Sequence, residues 1–454
     1  MTLQSSGAIS LSNVSVELGR SGSATTSLGE AAVRALAGIG SGPISLSNLY
    51  GKSATSYWYV ACGSLETIQS FGTDSAGNIY AFGYSLIAKF NADGVLQWQK
   101  TINRTIMTGK AMADGTVHLA GYWIVSGSNY GSFTARLDTN GNLVWTRSLD
   151  ATGNAEYGYD VDATATDVYL VGQTLSQGAG AGDALIAKWN SAGTLQWQRS
   201  LGGSGADSAI RGVVDASGNI YFVGTTASAG GMGGQDILIA KYNSAGTLAW
   251  QRSLGTSAAD SGISITFNAA GNPVILGYGT ATGNAVVATY DTNGNLLWQV
   301  QLPANFYPRD ITADTGGNVY LVGNNYADST GFVAKIDSSG NLVWSLQIST
   351  LAGFWVEITG AKVAGGGLVF NAQEWIMIKN GSIVLASSIF KLPLDGSKTG
   401  AWGEFTGAAG SVTLSAGTLT GLTRALTSAT RTLTAGSVAA TVAAGSTTFT
   451  KTSI

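Results

Sequence analysis

One cysteine, one histidine and five prolines are all that 454 residues hold of those types, and each shortage removes a class of explanation. A lone Cys62 closes no intrachain disulfide and builds no Cys-rich metal site, so it reads as a small buried hydrophobe. His118, the single histidine, stands in the strand-like AMADGTVHLAGY, so a multi-histidine metal site is excluded and any catalytic triad would have to be built on this one residue. Charge is scarce too: 11% of residues are charged and the net value is −3, which supplies no basic field for nucleic acid. No run approaches the roughly 18 apolar residues of a membrane-crossing helix. The opening MTLQSSGAIS lacks the basic region and apolar run of a signal peptide, so the expectation is a soluble protein made in the cytoplasm, with no membrane insertion.

What is abundant is glycine, 64 residues without a Gly-X-Y period, alongside twelve tryptophans and 44% apolar residues. That excludes collagen and charged disorder, and it suits many short strands joined by tight turns. The strands repeat. Trp98, Trp145, Trp197, Trp250, Trp298 and Trp344 recur 46 to 53 residues apart, each closing a phrase such as NADGVLQW, DTNGNLVW or NSAGTLQW. A degenerate seventh copy is KNGSIVL at 379–385, with Leu385 where tryptophan is expected. Ahead of each runs a second landmark, for example SAGNIYAFG at 75–83 or ASGNIYFVG at 216–224. Between the two lies a short strand carrying Lys89, Arg136, Lys188, Lys241, Lys335 or Lys379, with Thr289 as the exception.

Each unit therefore holds about four short strands, and Gly-Asn and Asn-Gly pairs mark hairpin turns. Four-stranded units of this length, unable to bury both faces alone, predict an all-β, seven-bladed β-propeller over residues 56–390. The segment SYWYV at 56–60 is an extra strand that either clasps the last blade or enters the ring as an edge. Six or eight blades, or a solenoid, are the alternatives. The glycine-rich LGGSGADS and SAGGMGGQD open no helix and carry no GxxxxGK, so they are not phosphate cradles. DTNGN resembles the start of a calcium loop, but it lacks the later glycine and the final acid, and Asn-Gly turns account for it. No cofactor, metal site or catalytic residue is expected.

Residues 1–52 read as a small α+β docking module. Period-two alternation in GAISLSNVSVEL predicts a strand, and Ser27, Glu30, Val33, Leu36 and Gly38 outline a short capped helix before a second strand. Residues 391–454 form a light Ser/Thr/Gly-rich β segment, for which pairing with another subunit and a flexible tail are the two readings.

Two parts of the chain carry a resemblance. SGAISLSNVSVELGR, AAVRALAG and SGPISLSNLYGKS, about 50 residues together, resemble the N-terminal module of tailed-bacteriophage virion proteins. DASGNIYFVGTT followed by GQDILIAKYNSAGTLAWQRSLG resembles bacterial β-propeller repeats found in extracellular and surface proteins. Jointly they imply a non-enzymatic phage structural protein of a tail, baseplate or fibre, assembled in the host cytoplasm and carried on the virion. Its implied partners are other virion proteins, further copies of itself, and a host-surface glycan or receptor.

A bacterial surface or scaffold propeller is the alternative, and a polysaccharide-degrading enzyme is the remaining one. The enzyme would need paired carboxylates, for which Glu156, Asp207, Asp260 and Asp310 lie near equivalent points after the repeat tryptophan. For binding, aromatics at irregular positions are the candidates: Tyr122, Trp123 and Tyr130 in GYWIVSGSNYGSF, Tyr157 and Tyr159 in AEYGYD, and Phe306 and Tyr307 in NFYPRD. Such rings stack on sugars or anchor protein interfaces.

Overall fold

The computed structural model describes the strand at 58–62, residues 68–402 apart from short loop segments, a series of tail strands between 405 and 453, and six isolated positions before residue 56. The chain divides into two compact units, Met1–Ser56 and Tyr57–Ile454. Of the first unit, Leu11, Val14 and Val33 are helical, and Val14 and Val33 are buried. Val33 is helical, at a position inside the expected helix, while Glu30, Leu36 and Gly38 lie outside the described residues. Leu11 and Val14 correct the expected strand: the Val14 N–H donates to the Ser10 carbonyl at 3.2 Å, a helical i→i−4 bond. LSNV places apolar residues three apart as well as at alternate positions, so the period-two reading competed with a helical stripe and lost.

The second unit is a β-propeller of seven blades, six of them built from four consecutive antiparallel strands. Blades one to six span 68–102, 105–150, 156–202, 207–255, 260–301 and 306–350. Blade seven takes Trp355–Glu357 and Ala361–Ala364 as a split inner strand, then Gly367–Ile378 and Ser382–Pro393. Its fourth strand is Trp58–Cys62, paired antiparallel with Ser382–Pro393, so the segment around SYWYV is the clasp that closes the ring.

That pairing also corrects the seventh repeat. In six blades the third-strand cation, or Thr289, lies opposite the repeat tryptophan: Lys89 opposite Trp98, Arg136 opposite Trp145, Lys335 opposite Trp344. In blade seven the residue in that register is Lys391, and its partner is Trp58. KNGSIVL instead spans the turn between the second and third strands, Leu385 pairs with Trp375, and Lys379 lies outside the described residues. The seventh tryptophan was displaced to the other end of the chain by the clasp.

In blades one to six, the turn between strands three and four begins with Asp or Asn, whose side chain accepts N–H bonds two and four residues on. Asp138 takes those of Asn140 and Asn142, and Asn243 those of Ala245 and Thr247. The fourth turn residue is glycine at positive φ, as at Gly246 (φ 78°). Asp138 thus spends its carboxylate on its own turn, which explains why DTNGN only resembles a calcium loop.

Blades are joined by the same residues. The Trp98, Trp145, Trp197, Trp250, Trp298 and Trp344 indole N–H groups each donate, at 3.0–3.2 Å, to a carbonyl in the corresponding turn of the next blade. Lys188 and Lys241 donate to the very carbonyls their tryptophans use, and Lys391 closes the circle on the Ala92 carbonyl. The lysine heads also lie over second-strand tyrosines, for example Lys241 at 4.7 Å from the Tyr221 ring. His118 occupies this tyrosine position in blade two, buried against Trp145; desolvation first, then Arg136, drives its pKa down to about 4. It is a core residue held neutral.

The tail pairs with the chain's own ring. Phe405–Ala409 adds a fifth strand to blade six, and Ser415–Ala416, Thr420–Thr423, Thr427–Thr430, Thr434–Gly436 and Val442–Ala444 do so for blades five, four, three, two and one. Phe449–Ser453 finishes on the clasp strand of blade seven. The neutral edges foreseen for another subunit are met within the chain.

Candidate functional site

A propeller has two faces, and here they differ in chemistry. One carries the short, repeated Asx turns just described. The other carries the connections between strands two and three and between successive blades, which vary in length and sequence. On this second face the strand ends bring aromatics together around the mouth of the ring.

Tyr122, in the second strand of blade two, meets Tyr130 across the hairpin (5.5 Å between ring centroids) and Tyr157 at the start of blade three (5.6 Å). Tyr130 and Tyr157 are 5.5 Å apart, and Tyr157 stacks on Tyr159 at 5.9 Å with planes 8° apart. Across the ring a second arc runs from Tyr278 to Tyr307 (4.8 Å), Tyr326 (4.3 Å) and Trp355 (4.8 Å). Arg309 donates to the Tyr326 hydroxyl at 3.0 Å and to Glu357 at 2.7 Å, which fixes that end. All eight rings are half-buried, with their edges held by neighbours and a surface left to solvent. Burial, with help from Tyr157 and then Tyr122, pushes the Tyr159 hydroxyl up to about 12. Burial and then Tyr307 push Tyr278 up as well, so these rings act as neutral, hydrogen-bonding aromatics.

Of the seven aromatics singled out in the sequence, Tyr122, Tyr130, Tyr157 and Tyr159 form the first arc and Tyr307 belongs to the second. Trp123 packs on the core with Arg104 over its ring at 4.9 Å. Phe306 is buried edge-to-face against Phe332 and is core. Sequence reading missed Tyr278, Tyr326 and Trp355. Their signal was position: Tyr278 is the last residue but one of the second strand of blade five, Tyr326 follows the second strand of blade six, and Trp355 opens the first strand of blade seven, much as Tyr157 stands second in that of blade three.

The channel itself, about 110 Å³, is lined by the seven innermost strands. Its acids and Lys110 are tied to the walls. Lys110 pairs with Asp162 at 2.6 Å, Asp162 and Asp160 accept the Val214 and Gly212 N–H groups at 2.8 Å, and Asp310 accepts from Ser264 and Ala361. Burial, opposed by Arg211 and the Gly212 bond, pushes Asp160 up to about 6. These bonds join neighbouring blades, so the channel's acids serve the ring.

The acids weighed for hydrolysis separate. Glu156, Asp207 and Asp260 begin the innermost strands of blades three, four and five, whereas Asp310 sits four residues into that of blade six, in the channel. Glu156, Asp207 and Asp260 are buried beneath the loop face.

No family model matches the chain, and no curated protein does. Solved structures similar to it include PorZ, a surface component of the type-IX secretion system of Porphyromonas gingivalis. It is 8% identical over 72% of this chain and 39% of that one, with a TM-score of 0.40. A gluconolactonase from Xanthomonas campestris is 10% identical over 75% of this chain and 87% of that one, with a TM-score of 0.33. A Bacteroides caccae protein of unknown function is 14% identical over 56% and 83%, with a TM-score of 0.33.

Proposed function

We propose that this protein is a non-enzymatic binding propeller that recognises a surface carbohydrate through the two aromatic arcs of its loop face. The observation that carries this reading is the convergence of Tyr122, Tyr130, Tyr157 and Tyr159 on one side of the ring mouth and Tyr278, Tyr307, Tyr326 and Trp355 on the other. Rigidly held, half-exposed rings supply flat apolar area at little entropic cost and keep hydroxyls for sugar hydrogen bonds. The N-terminal phrases SGAISLSNVSVELGR and SGPISLSNLYGKS favour a phage particle as the place of display, on a tail, baseplate or fibre, with other virion proteins as partners. The body's repeats alone would suit a bacterial surface propeller equally.

A glycan array with the purified protein, followed by calorimetry with the best ligand, tests the binding reading. Tyr157→Ala and Tyr307→Ala should each weaken binding about tenfold or more with the fold intact by circular dichroism, in line with losing an aromatic anchor. An array without a hit, or hits unaffected by both variants, overturns it. Imaging of the native assembly tests the location: density on a tail supports display on a virion, and a particle-free monomer rejects it.

A further inference from the structure

One cation of the channel stands apart from the contacts that tie its neighbours to the wall. Lys362 is second in Ala361–Ala364, within the split inner strand of blade seven, and lines the channel with Lys110 and Arg211. Arg211 donates to the Tyr159 carbonyl at 3.1 Å, and Lys110 is spent on Asp162. Asp160, Asp162 and Asp310 are filled by the donors already described. Lys362 itself makes no hydrogen bond or ion pair among the described residues. Lys188, Lys241 and Lys391, by contrast, each hold a carbonyl.

A cavity of about 370 Å³ leads to this amine. Phe71, Lys110 and Lys362 line both the cavity and the channel, so they form the neck between the two. Thr73, Asp74 and Ser75 wall the cavity where the inner strand of blade one enters its first turn. The opening therefore belongs to the short-turn face, at the other end of the ring from the aromatic arcs. Asp74 does not compensate Lys362 either. It accepts from Asn78 and from the Tyr80 hydroxyl, and it pairs with Lys89 at 3.6 Å.

An amine so placed favours its neutral form. Burial, then the Lys110 charge, pulls it below the ordinary lysine range, against the opposing charges of Asp162, Asp310 and Asp160. A neutral lysine amine is a nucleophile, and desolvation beside a second cation is one way in which proteins make one. We propose that Lys362 is a carbonyl-reactive amine that captures a small hydroxyaldehyde, entering from the short-turn face, as a reversible imine. The nitrogen attacks the carbonyl carbon, the two amine protons leave with the carbonyl oxygen as water, and hydrolysis reverses the step. The Thr73 and Ser75 hydroxyls on the way in suit a hydroxylated chain better than an apolar one.

The test treats the full chain with glycolaldehyde and sodium cyanoborohydride, which fixes an imine as a stable secondary amine, and maps the products by peptide mass spectrometry. At pH 7 Lys362 should be modified about tenfold or more faster than the other lysines, as each unit of lowered pKa gives about ten times more free amine. The preference should narrow as pH rises towards about 10, where ordinary lysines lose their protons too, and it should vanish in concentrated urea. Lys362→Met should lose the fast site. The proposal is overturned if Lys362 in the native chain reacts no faster than the others, or if its advantage is the same at every pH. An advantage that survives urea overturns it as well, since the fold would then play no part. The wild-type comparison decides even where the variant folds poorly.

Discussion

Glu156 shows how far a single buried side chain can set the response of the ring to pH. It opens the innermost strand of blade three, accepts bonds from Thr174 and Ser176, and keeps Oε2 without a partner. Desolvation, opposed by the Ser176 and Thr174 bonds and assisted by the Asp150 charge, pushes its carboxyl from 4.5 up to about 7. The folded state thus holds this proton more tightly than the unfolded chain does. Its contribution is full below about pH 4.5 and is lost as pH rises through 7, an effect of order 3 kcal/mol. Glu156→Gln keeps the acceptor for Ser176 and Thr174 and abolishes the titration. Urea midpoints should be nearly equal for the two proteins at pH 4.5, with the variant more stable by about 1–3 kcal/mol at pH 8. A difference independent of pH would contradict the assignment. The sequence marks Glu156, Asp207 and Asp260 as equivalent through their distance from the repeat tryptophan. It does not mark Lys110 and Lys362 as sharing one cavity, because the two come together only when the ring closes.

The element that makes the ring is the turn between strands three and four seated on the preceding blade's tryptophan. Gly246 stands at φ 78°, and a Cβ there would lie 2.7 Å from the Trp197 ring, whose N–H bonds to Ser244 in the same turn. Arg199 lies 5.6 Å from that ring and donates to the Gly246 carbonyl at 2.8 Å. Gly246→Ala therefore combines backbone strain with a steric clash at a blade interface and should destabilise by about 2–4 kcal/mol. Gly271→Ala is the control, because it shares a positive φ of 74° but meets nothing within 4 Å. It should cost only about 1–2 kcal/mol in the same denaturation experiment. The periodic phrases reveal this element in the sequence, since Asx turn, glycine and tryptophan all sit at fixed spacing. They mislead at blade seven, where SIFKLPLDG at 388–396 matches LIAKFNADG but the next tryptophan, Trp402, comes six residues after the glycine instead of four and does not pair with Lys391. Trp58 completes that unit from far away, and a pattern read in chain order cannot cross the closure.

At the scale of the whole molecule, the tail decides whether the ring has open edges. Strands about 4.8 Å apart put the outer edge of a four-stranded blade roughly 20 Å from the axis, so neighbouring edges lie about 20 Å apart around the circle. Seven extended residues span at most about 25 Å. The strands starting at Thr420, Thr427 and Thr434 follow at that interval, in step with TLTGLTR, ALTSATR and TLTAGSV at 418–438. Alternation alone indicated light strands; the seven-residue period, which matches one blade step, indicates where they go. Each tail strand occupies a row of backbone groups that would otherwise recruit another chain. A chain ending at Ser397 should keep the far-ultraviolet signature of the propeller, melt at a lower temperature, and associate at concentrations where the full chain remains dispersed by light scattering. The full chain's melting temperature should be independent of protein concentration, because its edges are covered from within. Concentration-dependent melting of the full chain, with a multimer that dissociates on truncation, would instead show the tails exchanging between copies.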